Sequence, residues 1–404
     1  MTARATSAAR LGILVAATLC AALLAVGCGT SGSGSTDGGT TPPSGDASAV
    51  ATPVGDTAGD TTGDKISDTT APTPAATVDR AEIERRLALP RFAYVAESER
   101  QGTARAFGAL AFIDSETDTL AFRPRVGSDL GRVAVASDGR LIYVTDQDEP
   151  VVWVVDAETH QKVRSIRLPG VRPHKSGGAK TATAKYSFAQ LLPCSSAVAC
   201  TPDGALVLVL STAGLQVIDA ASSEVVRTLP ELRDGMEVAV SFDGKHAYIA
   251  TVDSLTRGKH TMLEWVNMSI EGVGGGLALL DLETWQVVKR VKCGEIGGIA
   301  VDPDDSRIFC SDFKLKALRI VDPATLADIA VVSLKSAKAK FFQPRGVGVL
   351  PDGSKAYVVC AAVMPTSGQM ASAATAGASP DLFFCGVVDT QTREVVKRIP
   401  LDAY

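Results

Sequence analysis

Residues 132–170 read RVAVASDGRLIYVTDQDEPVVWVVDAETHQKVRSIRLPG. Val133 and Val135, then Leu141, Ile142, Tyr143 and Val144, flank Ser137-Asp138-Gly139, and an Asp-Gly pair supplies the positive backbone φ that a tight hairpin turn demands. After Gln147–Pro150 comes the apolar run Val151–Val155. Asp156-Ala157-Glu158-Thr159 then makes a second turn before Lys162, Val163, Ile166 and Leu168. The pattern predicts four short antiparallel strands, designated a to d.

One such meander has two open edges and two apolar faces, so it needs neighbours. The chain supplies them by repetition. The second turn, an apolar residue followed by Asp-x-x-Thr/Ser, recurs at Asp114, Asp156, Asp219, Asp281, Asp322 and Asp389. The first turn precedes five of these, at Asp138-Gly139, Asp203-Gly204, Asp243-Gly244, Asp304-Asp305 and Asp352-Gly353. Five residues after each first-turn aspartate stands a large apolar residue: Tyr143, Leu208, Tyr248, Phe309 or Tyr357. A structural unit repeated at this period signifies radial or solenoidal architecture. The expected fold is all-β, a β-propeller of four-stranded blades over residues 91–404, with six blades favoured and seven as the alternative. The first unit lacks a visible strand a.

Tyr143-Val144-Thr145-Asp146, after Ser137-Asp138-Gly139 and before Val155-Asp156, resembles the YVTN type of β-propeller repeat found in secreted and surface-attached prokaryotic proteins. The resemblance runs from about Phe92 to the C-terminus. It departs in the last motif position, where Asp146 stands for Asn. The resemblance implies sheets arranged around a central channel, and it brings no catalytic residues with it.

The totals agree with one large repetitive domain: 404 residues, 46% hydrophobic and 21% charged. A formal net charge of −5 points neither to nucleic acid nor to an anionic membrane surface. At the N-terminus, Arg4 and Arg10 precede an uncharged run from Leu11 to Gly27 that ends Leu24-Ala25-Val26-Gly27-Cys28. Small residues before a cysteine resemble the bacterial lipobox, with Ala25 where Leu is commonest. Residues 1–27 are therefore expected to be a lipoprotein signal peptide, with Cys28 as the lipidated mature N-terminus. Residues 28–77 are rich in Gly, Ser, Thr, Pro and Asp and are read as a disordered tether able to span a few nanometres. Residues 78–90 (VDRAEIERRLALP) are read as a short helix or edge segment capped by Thr77. The expected address is the bacterial cell envelope outside the cytoplasm, anchored to the membrane by acyl chains. Gly29 after Cys28 removes one inner-membrane retention signal, which favours the outer membrane.

Successive second-turn aspartates lie 42, 63, 62, 41 and 67 residues apart. The longer intervals hold insertions near residues 171–193, 253–275 and 363–380. The first joins strand d to the next strand a; the others join b to c. Because strands alternate direction, d-to-a and b-to-c connections emerge on one face and the tight turns on the other. Long loops on a rigid scaffold are where binding usually resides. The candidate binding residues on this insertion face are His174, Lys175, Arg257, Lys259, His260, Trp265, Lys340, Phe342 and Arg345, accompanied by Lys180, Lys185, Glu264, Lys335 and Lys338. They form a basic face with aromatics, suited to an acidic envelope protein, a glycan or a small anion; the bland alternative is that loop lysines only solubilise.

Beyond Cys20 and Cys28 the chain has Cys194, Cys200, Cys293, Cys310, Cys360 and Cys385. Cys360 at the end of strand b and Cys385 in strand c of one blade are expected to form a disulfide that clamps the third insertion. Cys194 with Cys200 and Cys293 with Cys310 are the sequence-local pairings of the rest, with buried thiols as the alternative. Without a CxxC spacing, no cysteine zinc site is expected. His160 and His246 fall by the tight turns, and His174 and His260 have no companion ligand, so no metal or cofactor is expected. The chain has no GxSxG, HExxH or GxxxxGK[ST] motif. The expected function is a membrane-tethered binding or scaffold module acting through the insertion face. The alternative is a lactonase- or lyase-like enzyme with its site in the central channel, which strand a is expected to line with Val133, Val135, Val238, Val240, Ile299 and Val301.

Overall fold

The computed structural model describes residues 92–99, 107–114, 119–173, 185–187, 193–252, 259–261, 274–335, 342–350, 352–362 and 383–400. The signal, tether and edge-segment assignments for residues 1–90 lie outside the described residues, as does most of each insertion. None of the described residues forms a helix long and apolar enough to cross a membrane.

Strands follow the repeat in chain order. The first sheet holds β1 (Phe92–Glu99), β2 (Phe107–Asp114), β3 (Thr119–Phe122) and β4 (Arg125–Gly127). The second holds β5 (Leu130–Val135), β6 (Leu141–Asp146), β7 (Val151–Asp156) and β8 (Lys162–Arg167), and β9 (Lys185–Ser187) follows it outside the blades. The third is β10 (Ser195–Cys200), β11 (Leu206–Ser211), β12 (Gly214–Asp219) and β13 (Glu224–Leu229). The fourth is β14 (Gly235–Val240), β15 (His246–Val252), β17 (Gly274–Asp281) and β18 (Gln286–Gly294), with β16 (Lys259–Thr261) looped out between its second and third strands. The fifth is β19 (Ile296–Val301), β20 (Ile308–Asp312), β21 (Ala317–Val321) and β22 (Asp328–Ser333). The sixth is β23 (Phe342–Val349), β24 (Lys355–Ala362), β25 (Phe383–Asp389) and β26 (Glu394–Pro400). These six antiparallel sheets are the blades of a six-bladed β-propeller, the count favoured from the sequence.

The first blade differs from the others. β2 pairs with β1 on one side and with both β3 and β4 on the other, through Phe112 opposite Phe122 and Gly108 opposite Gly127. β3 and β4 are thus one outer strand interrupted at Arg123-Pro124, where proline has no N–H for the ladder. This blade consists of strands b, c and d, as its missing first-turn signal implied.

Both predicted turns form. Gly139, Gly204, Gly244 and Gly353 take φ between 66° and 73° in the a-to-b turns. The fifth turn has Asp305 at φ 57° instead. Its carboxylate offsets the strain by accepting from the N–H groups of Phe242 (2.7 Å) and Asp243 (2.8 Å) in the preceding blade. In the c-to-d turns, one oxygen of Asp156 accepts from Thr159 N (2.7 Å), Thr159 Oγ1 (2.9 Å) and Glu158 N (3.0 Å), and Asp281 and Asp322 repeat the arrangement. The repeating aspartate is a local cap for the turn's own donors.

Five apolar clusters fill five successive inter-blade junctions. Tyr143, Leu208, Tyr248 and Phe309, four of the repeated large residues, each pack toward the following blade. Burying each contributes about 2–3 kcal/mol. At the fifth junction β19 and β23 approach so closely that a Cβ on Gly298 would lie 2.4 Å from the carbonyl oxygen of Arg345.

The expected cysteine clamp does not form. Val359 stands opposite Cys385 and Cys360 opposite Phe384, so the two cysteines project from opposite faces of one sheet and no rotamer joins them. Cys194 and Cys200 lie along one strand edge, about 20 Å apart at the rise of extended chain, beyond disulfide reach. Cys293 packs against the cluster that contains Cys310, and no disulfide joins that pair either. The alternative of buried thiols holds for Cys194, Cys310, Cys360 and Cys385, while Cys200 and Cys293 are half-buried. Burial pushes the Cys200 thiol up to about 12 and Cys385 up to about 11, and raises Cys310 and Cys360 further. We therefore expect iodoacetamide at pH 8 to spare these four cysteines in native protein and to label them after unfolding. Native-state labelling, or a Cys360–Cys385 peptide in a non-reducing digest, would contradict the register.

The turns also make an acid-stability prediction. Asp156, Asp219, Asp281 and Asp389 are held below the usual carboxylate range, first by the backbone N–H three residues on; for Asp322 the Thr325 hydroxyl comes first. A depressed folded-state value contributes stability above the unfolded carboxylate pKa of about 3.9, lost as pH falls through the folded value. Burial shifts Asp302 and Asp305 upward and partly offsets this. The expected result is a Tm that falls as pH drops below about 4. A flat or rising Tm across that range would show that the turn carboxylates are energetically silent.

Candidate functional site

The five full inner strands share a device that periodicity alone does not predict. β5, β10, β14, β19 and β23 each carry a register shift near their start, between Leu130 and Val133, Ser195 and Ala197, Gly235 and Glu237, Ile296 and Gly298, and Pro344 and Val347. A bulge re-aims the residue it expels from the ladder. Strand a begins at the end where the d-to-a connection enters, so the five bulges share the insertion side of the channel.

Polar side chains meet there. The Arg132 guanidinium on β5 pairs with the Glu237 carboxylate on β14, two blades away, and donates to the carbonyl of Gly297 on β19 at 3.3 Å. The backbone N–H of Arg132 is held by Thr145 Oγ1 at 2.7 Å. Ser196 Oγ donates to the carbonyl of Gly235 (3.1 Å), and Ser311 Oγ to that of Arg345 (2.6 Å), so hydroxyls stitch neighbouring blades at this level. Arg345 Nη2 donates to Gln343 Oε1 at 2.8 Å, with the guanidinium 5.6 Å above the Phe313 ring. It has no carboxylate partner among the described residues.

The expected apolar lining is corrected accordingly. Val133, Val238 and Val301 are buried in inter-blade clusters, because the two faces of an inner strand look at the two neighbouring blades and not into the channel. Sequence reading missed Arg132, Ser196 and Glu237. Their signal was a polar residue directly before each apolar triplet, as in Arg132-Val133-Ala134-Val135 and Glu237-Val238-Ala239-Val240.

Two of the insertions converge, as the alternation of strands allows. β9, from the d-to-a connection after the second blade, pairs antiparallel with β16, from the b-to-c connection of the fourth, with Lys259 opposite Ser187, His260 opposite Tyr186 and Thr261 opposite Lys185. Two segments more than seventy residues apart in sequence form a ribbon outside the blades. Lys185, Lys259 and His260 are thereby collected together. His174, Lys175, Arg257, Trp265 and Lys340 lie outside the described residues. Phe342 is a correction: it is 1% exposed in the core between the fifth and sixth blades, with its ring 5.4 Å from Phe384, because β23 begins at Phe342 where a loop was expected. Arg345 belongs to the same strand but lies in its bulge, with its guanidinium on Gln343 and over the Phe313 ring.

The motif position at which Asp146 stands has a structural task on this side. Its buried carboxylate accepts from Ser128 N (2.8 Å), Trp153 Nε1 (3.0 Å), Asp148 N (3.0 Å) and Glu149 N (3.0 Å) and shapes the b-to-c turn of the second blade. Asp312 repeats this in the fifth blade through Leu315 N (2.9 Å) and Arg319 Nη1 (3.1 Å). Among the described residues no group of three His, Cys, Asp or Glu side chains is placed to hold a metal ion.

No family model and no curated protein matches the sequence. Among solved structures, the chain is similar to Kuenenia stuttgartiensis hydrazine synthase, with 15% sequence identity over 74% of this chain and 93% of that chain and a TM-score of 0.48.

The Arg132–Glu237 pair spans blades and is mostly screened from solvent, with side-chain exposures of 20% and 14%. Arg132→Met or Glu237→Gln should each cost about 1–2 kcal/mol, since either leaves the other charge poorly solvated. The double variant should lose less than the sum, with a coupling of about 1 kcal/mol in urea unfolding. Strict additivity would mean that the pair does not bridge the channel in solution.

Proposed function

We propose that the protein is a lipid-anchored propeller of the YVTN type, outside the cytoplasm and weighted toward the outer membrane, whose insertion-bearing face binds an anionic envelope partner. The single observation that carries the reading is the pairing of β9 with β16, which sets two basic insertions side by side. Arg345, in the bulge of β23 on the same side and without a carboxylate partner among the described residues, adds a guanidinium suited to carboxylate or phosphate. The anchor rests on the N-terminal sequence alone: basic n-region, apolar run, Cys28 and a composition that cannot fold.

A second reading, a lactonase- or lyase-like activity centred in the channel, is favoured by the Arg132–Glu237 pair at the bulges. A carboxylate already paired with a guanidinium is poorly suited to moving protons, so binding is preferred.

The deciding measurement is capture from envelope extract by the full chain, beside a variant with Lys175, Lys259, His260 and Lys340 replaced by alanine. The expected outcome is a partner retained by the native protein, lost by the variant, and released as salt rises through about 0.2 M. Equal capture by both proteins would remove the insertion face from consideration, and no capture by either would favour channel chemistry.

A further inference from the structure

At the junction of the fifth and sixth blades, the insertion side gathers three cations from three separate elements. Lys316 closes the b-to-c turn of the fifth blade, Lys335 follows the end of β22, and Arg398 stands in β26, the outer strand of the sixth blade. Hydrogen bonds tie the three segments together: Leu334 N donates to Lys316 O at 2.9 Å, and Arg398 Nη2 donates to Lys335 O at 2.9 Å. A buried aromatic pair lies beneath them. The Lys316 ammonium is 5.4 Å from the centre of the Phe342 ring and the Arg398 guanidinium 5.8 Å from that of Phe384, and the two rings are 5.4 Å apart.

The backbone of Lys316 sets it apart. Seven non-glycine residues take positive φ among those described, and six of them stand in tight turns on the opposite side: Asp305, and one residue in each of five c-to-d turns, such as His160, whose ring stacks on Phe122 at 3.7 Å. Lys316, at φ 54°, is the seventh and stands on the insertion side. That conformation suits glycine or asparagine better than lysine, and residues held in it against preference cluster at binding sites. Burial first, and then the neighbouring Lys335 ammonium, lower the Lys316 pKa, as expected where like charges are drawn together. Neither Lys335 nor Arg398 pairs with a carboxylate among the described residues.

We infer that Lys316, Lys335 and Arg398 form an oxyanion site that takes a phosphate group, either free or as a phosphomonoester. Two ammonium groups and a guanidinium match the charge and the several acceptor oxygens of a phosphate dianion, whereas a single carboxylate would leave cations unmatched. One guanidinium nitrogen of Arg398 is engaged by the Lys335 carbonyl, which orients the group and leaves its other N–H donors for the anion. The aromatic floor of Phe342 and Phe384 keeps water from one side, so each charge contact is screened less than on open surface.

This site deepens the reading of the insertion face as an anion-binding surface and rests on it for the partner that carries the phosphate. Its residues belong to the fifth and sixth blades, whereas the β9–β16 ribbon joins insertions of the second and fourth, so the two can be tested apart.

The test is a phosphorus NMR titration of the full chain with inorganic phosphate and with glycerol 3-phosphate, the soluble form of a lipid phosphomonoester headgroup, at a fixed ionic strength of about 0.15 M. We expect saturable line broadening with wild type and about tenfold weaker binding in both Lys335→Ala and Lys316→Gly. Lys316→Gly should also keep or raise Tm, because glycine relieves the positive φ; a purely structural lysine would not combine lost binding with retained stability. If that variant loosens the turn instead, the exposed Lys335→Ala decides. Lys397→Ala is the control: Lys397 neighbours Arg398 on the opposite face of β26 and should bind phosphate as wild type does. Broadening that does not saturate overturns the site, as does wild-type binding in Lys335→Ala or an equal loss in Lys397→Ala. Tighter binding of glycerol 3-phosphate would assign the source to a headgroup, and equal binding to free phosphate. Because these variants leave Lys175, Lys259, His260 and Lys340 intact, a chain that captures its envelope partner but binds no phosphate sinks this site alone, and the converse sinks the partner reading alone.

Discussion

Each blade is a four-stranded sheet with two apolar faces, and everything else in the propeller follows from the need to cover both. A four-stranded meander covers neither face by itself; its neighbours do, which is why the clusters form at the junctions and not within the sheets. The repeated Tyr143, Leu208, Tyr248 and Phe309 are the larger pieces of this packing, each fully or almost fully buried. Replacing any of them by alanine would remove a side chain whose loss costs about 3–5 kcal/mol in a well-packed core. Radial stacking also dictates close backbone approach toward the axis, which is the reason Gly297 and Gly298 occupy β19 where Phe313 and the Pro344–Arg345 backbone crowd in.

Coverage by neighbours leaves the two sides of the disc free for different uses. The tight-turn side is spent on local hydrogen bonding: aspartates cap their own turns, and some, such as Asp305 and the Asp302–Arg307 pair, also reach the adjacent blade. The insertion side carries length, positive charge and the bulges. A bulge is what allows Arg132 to leave the pleat of β5 and cross to Glu237. Long insertions and the turn hydrogen bonding are thus divided between opposite sides, so loop length can change without altering junction packing.

The blade count, the turn positions, the order of strands within a blade and the side on which insertions emerge were all legible in the chain, because each depends on spacing of two or three residue types. The incomplete first blade was legible too, through the lack of an Asp-Gly turn before Asp114. Cys360 and Cys385 were not: both were assigned to the correct strands, yet a single step of register turned them from partners into residues on opposite faces. Phe342 was misplaced because a lysine-rich stretch gave no sign of where β23 would begin.

What sequence alone determined was periodic: an all-β propeller built from hairpins whose Asp-Gly and Asp-x-x-Thr turns carry their own conformational instruction within four residues. What only the tertiary structure decided was convergent: the cross-blade pair of Arg132 with Glu237, the ribbon of β9 with β16, the separation of the cysteines, and the aromatic cluster around His160. The physical reason is range. A turn is set by hydrogen bonds between residues two or three apart, whereas a contact across the channel or between blades depends on bulges and register accumulated over a hundred residues, and no local pattern encodes that sum.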